Sequence, residues 1–369
     1  MRELDINLLQ DKRFFSDYSQ PELEALFTSW DIEAYRARQV FQAVYSSHIS
    51  SFADLQIVPS QLRSVLDSRF ILSSVHVEQR QTAQDGTQKF LFRMIDGARI
   101  ESVLIPSELV DESGDPRRRT LCISTQAGCP LGCTFCATAT LRLQRNLCTA
   151  EIIDQFLAVR ALTGVEITNV VFMGMGEPLL NYEHVVHAVD IFTNDTARLL
   201  PAKRITLSTA GVVPGIMRLA DENRPIKLAL SLHATTNGLR RKLMPIANKY
   251  SLEDLGNAIE YYYRCTKIPV TYEYIVFQGL NDSALDVRRL ARIARRVPSK
   301  VNVIPFHSID FTNPSGVSAD LRAPSREDLQ TFVSALRNEG VHVMIRSSSG
   351  VDIDAACGQL ALSSQPSAS

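Results

Sequence analysis

Residues 120–136 read Thr120-Leu121-Cys122-Ile123-Ser124-Thr125-Gln126-Ala127-Gly128-Cys129-Pro130-Leu131-Gly132-Cys133-Thr134-Phe135-Cys136. The opening apolar run has the composition of a short buried strand, and it leads at once into a loop with three thiols. Spaced by three and then two residues, Cys129, Cys133 and Cys136 suit a soft metal or an iron–sulfur cluster. Zinc sites usually bring paired C-x-x-C halves or histidines, and no fourth Cys or His stands nearby at a suitable spacing. A cluster with one open iron therefore fits the loop better, with a zinc knuckle or three unconnected thiols as alternatives. An open metal position can chelate a small molecule.

Toward the C-terminus, short runs rich in Val, Ile and Leu alternate with longer amphipathic ones. The strand candidates are residues 121–125, 169–173, 204–209, 227–232, 270–277 and 301–305, with a seventh at 341–346. The clearest helical patterns are 150–162, opened by Thr149 with Glu151 in its first turn, then 252–264, 284–296 and 326–338, with Ser283 and Ser325 as caps. Strands alternating with helices of this length build parallel sheets, because a right-handed crossover returns the chain to the same edge. Six such units predict an α/β fold with a partial (β/α)6, TIM-like barrel over residues 120–360. A doubly wound open sheet satisfies the same alternation.

Toward the N-terminus, residues 22–29, 35–46 and 59–67 read as short helices, so 1–75 is expected to form a small helical domain. A short strand-rich bridge follows over 76–119. There, 89–94 and 99–105 flank Asp96-Gly97, a two-residue hairpin signal, and Asp111-Glu-Ser-Gly-Asp-Pro116 marks a polar loop. Residues 361–369 have the composition of a disordered tail.

At 45% hydrophobic and 21% charged residues the composition is that of a globular protein, which excludes disordered and collagenous classes. No apolar run nears the roughly 18 to 20 residues that cross a bilayer, and the start lacks a signal peptide's basic head and apolar stretch. A cytoplasmic protein without membrane attachment is expected. The net charge of −1 announces no global affinity for nucleic acid, so any RNA site must be local. Seven cysteines, an odd number in a chain of this size, argue against a disulfide framework.

The C-x3-C-x2-C loop after the first barrel strand resembles that of the radical S-adenosylmethionine (SAM) enzymes. Thr120-Leu-Cys122-Ile-Ser-Thr-Gln-Ala-Gly-Cys129, Cys133-Thr-Phe-Cys136-Ala-Thr-Ala and Asp354-Ala-Ala-Cys357-Gly-Gln-Leu together resemble the RlmN/Cfr family of RNA adenine methyltransferases. The likeness runs from about Gln39 to Leu360. It implies a radical SAM barrel with one [4Fe–4S] cluster on Cys129, Cys133 and Cys136, and SAM contacted by Gly176, Glu177, Ser208, Ser231, Leu232, His233 and His307. His307 stands where the family commonly has Asn.

Two SAM molecules are implied per turnover. Cys357 takes a methyl group from the first by displacement. The cluster cleaves the second, the deoxyadenosyl radical takes hydrogen from the S-methyl group, and the methylene radical adds to adenine, leaving RNA bound to Cys357. Cys122 then releases the product through a transient disulfide, and Glu101 removes the adenine proton. The implied substrates are 23S rRNA and tRNA. The implied target is C2 of adenine, because Gly176-Glu177-Pro178-Leu-Leu-Asn181 resembles that branch, although Ser349 precedes Gly350 where its members commonly have Arg. C8 methylation is the alternative within the family. An electron donor such as flavodoxin or ferredoxin and a monomeric state are expected.

The predicted strand ends agree with this. The cysteine loop follows the first strand and Gly174-Met-Gly176-Glu177-Pro178 the second; Ser208 ends the third, Ser231-Leu232-His233 the fourth, His307 follows the sixth and Cys357 the seventh. In such barrels reactive groups sit beyond the C-terminal strand ends, so one site on one rim is predicted. Taken singly, Glu101 also reads as an exposed strand carboxylate, Cys122 as a core residue and His233 as a structural histidine. Cys148 and Cys265 read as packing thiols. RNA contacts are expected from Arg117-Arg118-Arg119, Lys203-Arg204 and Arg240-Arg241-Lys242. A non-enzymatic RNA-binding protein with a purely structural metal is the rival reading; it leaves Cys122 and Cys357 unexplained.

Overall fold

The computed structural model describes residues 12–46, 49–346 and 348–362. Of the tail expected at 361–369, the part beyond Leu362 lies outside the described residues, as do residues 1–11. β1 (Arg13–Phe14) pairs in parallel with β2 (Phe70–Ile71), and between them run α1 (Gln20–Thr28), α2 (Ala34–Ser46) and α3 (Ser60–Arg69). Ser19 and Glu22 close a capping box at α1, with Pro21 in its first turn. Phe15 meets Phe52 and Phe70 edge to face, with ring centroids 5.8 and 5.5 Å apart, at the centre of this unit's core.

An antiparallel meander follows, β3 (Val75–Thr82), β4 (Gln88–Met94) and β5 (Arg99–Pro106), and β5 pairs with β6 (Arg119–Cys122). The Asp96-Gly97 turn joins β4 to β5 with Gly97 at φ 86. A small pair, β7 (Gln126–Ala127) and β8 (Arg145–Asn146), brackets the cysteine loop. The chain then alternates through α4 (Thr149–Thr163), β9 (Asn169–Phe172), α5 (Tyr182–Thr193), β10 (Ile205–Thr209), α6 (Val213–Asp221) and β11 (Lys227–Ser231). It continues with α7 (Asn237–Leu243), α8 (Leu252–Thr266), β12 (Val270–Val276), α9 (Ala284–Ala294), β13 (Ser299–Pro305), α10 (Val317–Asp320), α11 (Arg326–Asn338) and β14 (Val343–Ile345).

One ten-stranded sheet holds β14-β13-β12-β11-β10-β9-β6-β5-β4-β3 in that order, and every pairing from β6 to β14 is parallel. A doubly wound sheet reverses its strand order at a switch point. Here the parallel strands follow one another in unbroken sequence, each joined to the next by a helical crossover, which is the order of a barrel. β3 and β14 are the two edges of the sheet, so the barrel stays open. β12, Val-Thr-Tyr-Glu-Tyr-Ile-Val, is buried at every position, as a strand covered on both faces must be. Among the described residues no helix is long and apolar enough to cross a membrane.

Ser283 and Ser325 cap α9 and α11 as expected, and Ser251 caps α8. At α4 the cap is Cys148, whose thiol stands in for a hydroxyl while Glu151 returns to the Cys148 N–H, so this cysteine starts a helix. Cys265 is exposed and packs in no core, contrary to the expectation. β3 went unread in the sequence because Gln79-Arg80-Gln81-Thr82 is polar, as an edge strand can be. α6 opens Val213-Pro214-Gly215, which reads as a turn, although Pro is welcome in a first helical turn.

The helical unit docks on α4 through carboxylates. Asp17 Oδ1 accepts the Ala150 N–H at 2.8 Å, supplying one bond that the helix start lacks. Asp154 accepts the Ser16 hydroxyl at 2.8 Å and both the N–H and the hydroxyl of Ser74 at 2.7 Å. Burial outweighs these bonds and lifts the Asp154 carboxyl to about 6. In the unfolded chain it titrates near 4. The folded state thus holds the proton more tightly, and this contribution to stability is full below about pH 4 and lost as pH rises through about 6. Asp154→Asn removes both the charge and one acceptor. The variant is expected to be less stable than the parent by about 1 to 3 kcal/mol near pH 4, with the gap narrowing by pH 7, as urea denaturation at the two pH values would read.

Candidate active site

The cysteine loop is anchored to the segment that follows β9. Ile123 N–H donates to Val171 O at 3.0 Å, Gly174 N–H to Ile123 O at 3.1 Å and Thr125 N–H to Met175 O at 2.9 Å. Gly176 sits at φ 104, and a Cβ added there would stand 2.6 Å from Gln126 Cβ. The next residue closes the contact, Glu177 N–H donating to Gln126 Oε1 at 2.8 Å. The Glu177 carboxylate is buried and accepts the N–H of Leu179 at 3.1 Å and of Ala210 at 2.7 Å, tying the ends of β9 and β10 together. Burial lifts its pKa to about 7. Ser208, on β10, is half-buried.

Cys129, Cys133 and Cys136 are all partly buried free thiols. Burial pushes the Cys129 thiol up to about 12 and raises the other two as well. Such thiols are neutral until a metal displaces their protons. Among the described residues no three His, Cys, Asp or Glu side chains converge as ligands of a single ion would. A cluster takes each thiolate on a different iron, so this all-sulfur donor set fits a [4Fe–4S] group held by the three cysteines.

The end of β11 abuts the loop. His233 has φ 53, its Nδ1 accepts the Ile275 N–H at 3.1 Å, and its ring meets Phe135 edge to face at 4.8 Å. Burial lowers its pKa to about 3, so the ring is neutral with its proton on Nε2. Leu232 is buried and Ser231 half-buried. Arg240 departs from the sequence reading. It is fully buried and donates to backbone carbonyls, so of the Arg240-Arg241-Lys242 run this residue offers nothing to a phosphate.

A cavity of about 620 Å³ runs along the barrel interior. Cys122, His307 and Cys357 line it toward the C-terminal strand ends, and Arg118, Lys227 and Lys300 toward the N-terminal ends. Burial and the charges of Lys300, Arg204, Arg118 and Lys203 hold Lys227 below its ordinary pKa, which marks these five cations as one group. Burial, with the nearby Cys357 thiol adding to it, pushes Cys122 up to about 12. Arg346 also lines the cavity, and Cys357, Glu273 and Cys122 hold its guanidinium firmly cationic. Glu273 Oε2 lies 3.8 Å from Arg346 Nη1, and its Oε1 accepts the Asn302 amide at 2.9 Å.

Cys357 is carried on residues 348–362, which leave β14 and cross back to the meander outside any strand. Gly350 N–H donates to Asp85 at 3.0 Å, Ala137 N–H to Gly358 O at 2.7 Å and the Thr138 hydroxyl to Leu360 O at 2.6 Å. Glu101 is tied to the same segment. It is 1% exposed, which excludes the exposed strand carboxylate. Its Oε1 lies 3.4 Å from Lys89 Nζ, and its Oε2 accepts the N–H groups of Ala361 and Leu362 at 3.0 and 3.2 Å. Burial raises its pKa and Lys89 opposes the rise. Val103, two residues along the same face, pairs with Cys122.

The cavity lining thus unites Cys122, Cys357 and His307, while Gly176, Glu177, Ser208, Ser231, Leu232 and His233 do not line it. Glu273 and Arg346 went unread in the sequence. The one signal for Glu273 was a carboxylate in the middle of an otherwise apolar and aromatic strand.

A profile of the Radical SAM superfamily matches residues 123–291, and one of the ribosomal RNA large subunit methyltransferase N-terminal domain matches residues 15–72. A probable dual-specificity RNA methyltransferase RlmN of Flavobacterium johnsoniae is 40% identical over 355 residues, covering 95% of this chain and 97% of its own. Another of that description, from Thermotoga neapolitana, is 42% identical over 347 residues, 94% of this chain and 96% of its own. Among solved structures, a radical SAM methyltransferase from Sphaerobacter thermophilus is 38% identical, with a TM-score of 0.85 over 94% of this chain and 98% of that one.

The close approach at Gly176 yields a test of the anchoring. Gly176→Ala is expected to lower stability by about 1 to 3 kcal/mol in chemical denaturation and to reduce iron uptake on reconstitution. Gly97→Ala, also at positive φ but with open space around the added Cβ, is expected to leave iron uptake unchanged.

Proposed function

The chain belongs to the RlmN family of radical SAM methyltransferases, and from this we propose that it methylates C2 of an adenine in 23S rRNA and of an adenine in tRNA through an S-methylcysteine at Cys357. The observation that carries this reading is that Cys122 and Cys357 line one cavity within electrostatic reach of the Arg346 guanidinium. A resolving thiol beside a methyl-carrying thiol is what the reaction needs, and a purely structural metal protein has no use for the pair.

Cys357 attacks the methyl group of a first SAM: the sulfur–methyl bond forms as the sulfonium–methyl bond breaks, and the thiol proton leaves. The Arg346 guanidinium stands within electrostatic reach of this sulfur. The [4Fe–4S] cluster on Cys129, Cys133 and Cys136 supplies, when bound, the electron that cleaves a second SAM to the radical activating the S-methyl group for addition to C2, and takes an electron back afterwards. Glu101 accepts the proton that C2 gives up; burial raises its pKa, as suits a proton acceptor, and Lys89 opposes the rise. Cys122 then attacks the Cys357 sulfur, so that an S–S bond forms as the sulfur–carbon bond to the RNA breaks and the freed carbon takes a proton.

SAM is held by Gly176, Glu177, Ser208, Ser231, Leu232, His233 and His307, with the Glu177 carboxylate against its amine. The cation group of Lys227, Lys300, Arg204, Arg118 and Lys203 meets RNA phosphates at the N-terminal strand ends, and the helical unit over 1–75 adds to the grip. A flavodoxin or ferredoxin as electron donor, a cytoplasmic setting and a monomeric enzyme complete the reading.

Reconstituted enzyme given SAM, a reductant and a 23S rRNA fragment is expected to yield C2-methyladenine in mass spectrometry of the digested RNA; a C8 product would overturn the assignment of the target atom. Cys357→Ala is expected to abolish methylation, and Cys122→Ala to accumulate a covalent protein–RNA adduct visible on a denaturing gel. Replacing both Lys227 and Lys300 by Ala is expected to weaken RNA binding and to lower the salt dependence of its logarithm by about one unit per lost phosphate contact.

A further inference from the structure

Arg240, on α7, is 0% exposed. Its Nη2 donates to Ala210 O at 2.6 Å and to Ser231 O at 3.2 Å, and its Nε to Leu232 O at 3.3 Å. These partners are neutral carbonyls, which satisfy N–H groups and leave the charge uncompensated. The remaining nitrogen, Nη1, is buried with no hydrogen-bond partner. Burial brings the guanidinium only to about 10, so it stays cationic at neutral pH, and the one opposing influence on it among the described residues is Cys133. A buried cation with no anion is among the least favourable groups a fold can hold.

α7 is joined to the cysteine loop by more than proximity. The N–H and hydroxyl of Thr134 both donate to Leu243 O, at 2.9 and 3.3 Å. Phe135 of the loop shares an apolar cluster with Leu243 and Met244, against which Leu239 packs. A Cβ added to Gly132 would touch Pro245 at 3.7 Å. The cation is therefore held at a fixed place on the Cys133 side of a loop whose three thiols must become anions when iron binds. Each group supplies what the other lacks.

We propose that Arg240 is the built-in counter-ion of the iron–sulfur cluster, neutralising thiolate charge on the Cys133 side and raising the cluster's reduction potential. The proposal rests on reading the loop as a [4Fe–4S] site. A fixed positive charge favours the state with one more electron, so removing it makes reduction harder. Electrons balance simply, because one electron enters the cluster from the chemical reductant used in the titration.

The test is a redox titration of the reconstituted, SAM-free enzyme followed by electron paramagnetic resonance, on the parent, Arg240→Lys, Arg240→Met and Arg240→Gln. Both neutral variants are expected to lower the reduction equilibrium constant roughly tenfold, which is about 59 mV for a one-electron couple, and the Lys variant to recover most of the loss. The Gln variant keeps donors for the strand carbonyls should the Met variant fail to fold. Without iron, the folded neutral variants are expected to melt no lower than the parent, having shed an uncompensated charge. An unchanged potential with a lower melting temperature would make Arg240 a tie between carbonyls of β10 and β11 and overturn the proposal. An unchanged potential with roughly tenfold weaker SAM binding would assign the cation to the SAM carboxylate and overturn it as well. The titration involves no RNA, so a failed methylation assay leaves it standing, whereas a parent enzyme that takes up no cluster sinks the functional reading itself.

Discussion

Between β6 and β9 the chain keeps its parallel register past the point where both strands end. Bonds from Ile123 to Val171, from Gly174 to Ile123 and from Thr125 to Met175 carry the pairing into what would otherwise be two loops. Only glycine allows it: a Cβ on Gly174 would stand 2.7 Å from the carbonyl of Ile123, and one on Gly176 would strike Gln126. The cysteine loop and Glu177 are thus placed by backbone against backbone, closed by the Gln126 side chain, which takes the Glu177 N–H. Everything else at the rim is positioned relative to this seam, including the tie from Glu177 to Ala210 that brings in β10.

A buried barrel interior has to hold charge with little water to help it. Two of its buried carboxylates are balanced by cations, each pair of a different kind. Glu273 faces Arg346, and its other oxygen is bound by Asn302. Glu101 faces Lys89 and is further held by two backbone N–H groups, which makes a buried carboxylate tolerable without a second cation. Arg346 serves two masters, the carboxylate of Glu273 and the sulfur atoms of Cys122 and Cys357, so a change at either thiol is felt across the cavity. The neutral His233, by contrast, adds no charge to a crowded rim.

Much of this was legible from the residues. The alternation of apolar runs and amphipathic helices located every parallel strand of the ten-stranded sheet, and the three-cysteine loop located the rim; the short parallel pair β1–β2 gave no such signal. What periodicity left open, barrel or doubly wound sheet, is a question of strand order, and strand order leaves no mark on a local window. β3 escaped because an edge strand with one wet face looks like a polar loop. Arg240 was misread because it stands in a run with Arg241 and Lys242, and only the helical turn at α7 separates the inward cation from its exposed neighbours. For Glu101 an exposed carboxylate was the lesser alternative in the sequence, and Lys89 with the returning C-terminal segment closes over it.

That returning segment gives the molecule a direction in time. The bonds that hold residues 348–362 span 265 positions at Gly350 to Asp85, 222 at Thr138 to Leu360 and 260 at Glu101 to Ala361. Contacts so distant along the chain form after the local ones, and a protein growing from the ribosome folds its N-terminal parts first. The helical unit, the meander and most of the sheet can therefore settle before Cys357 has been synthesised. The last piece of the cavity wall arrives late, when residues 348–362 cross back to the meander and bring Cys357 to the cavity that Cys122 lines, so that a half-made chain carries the vessel without its second thiol.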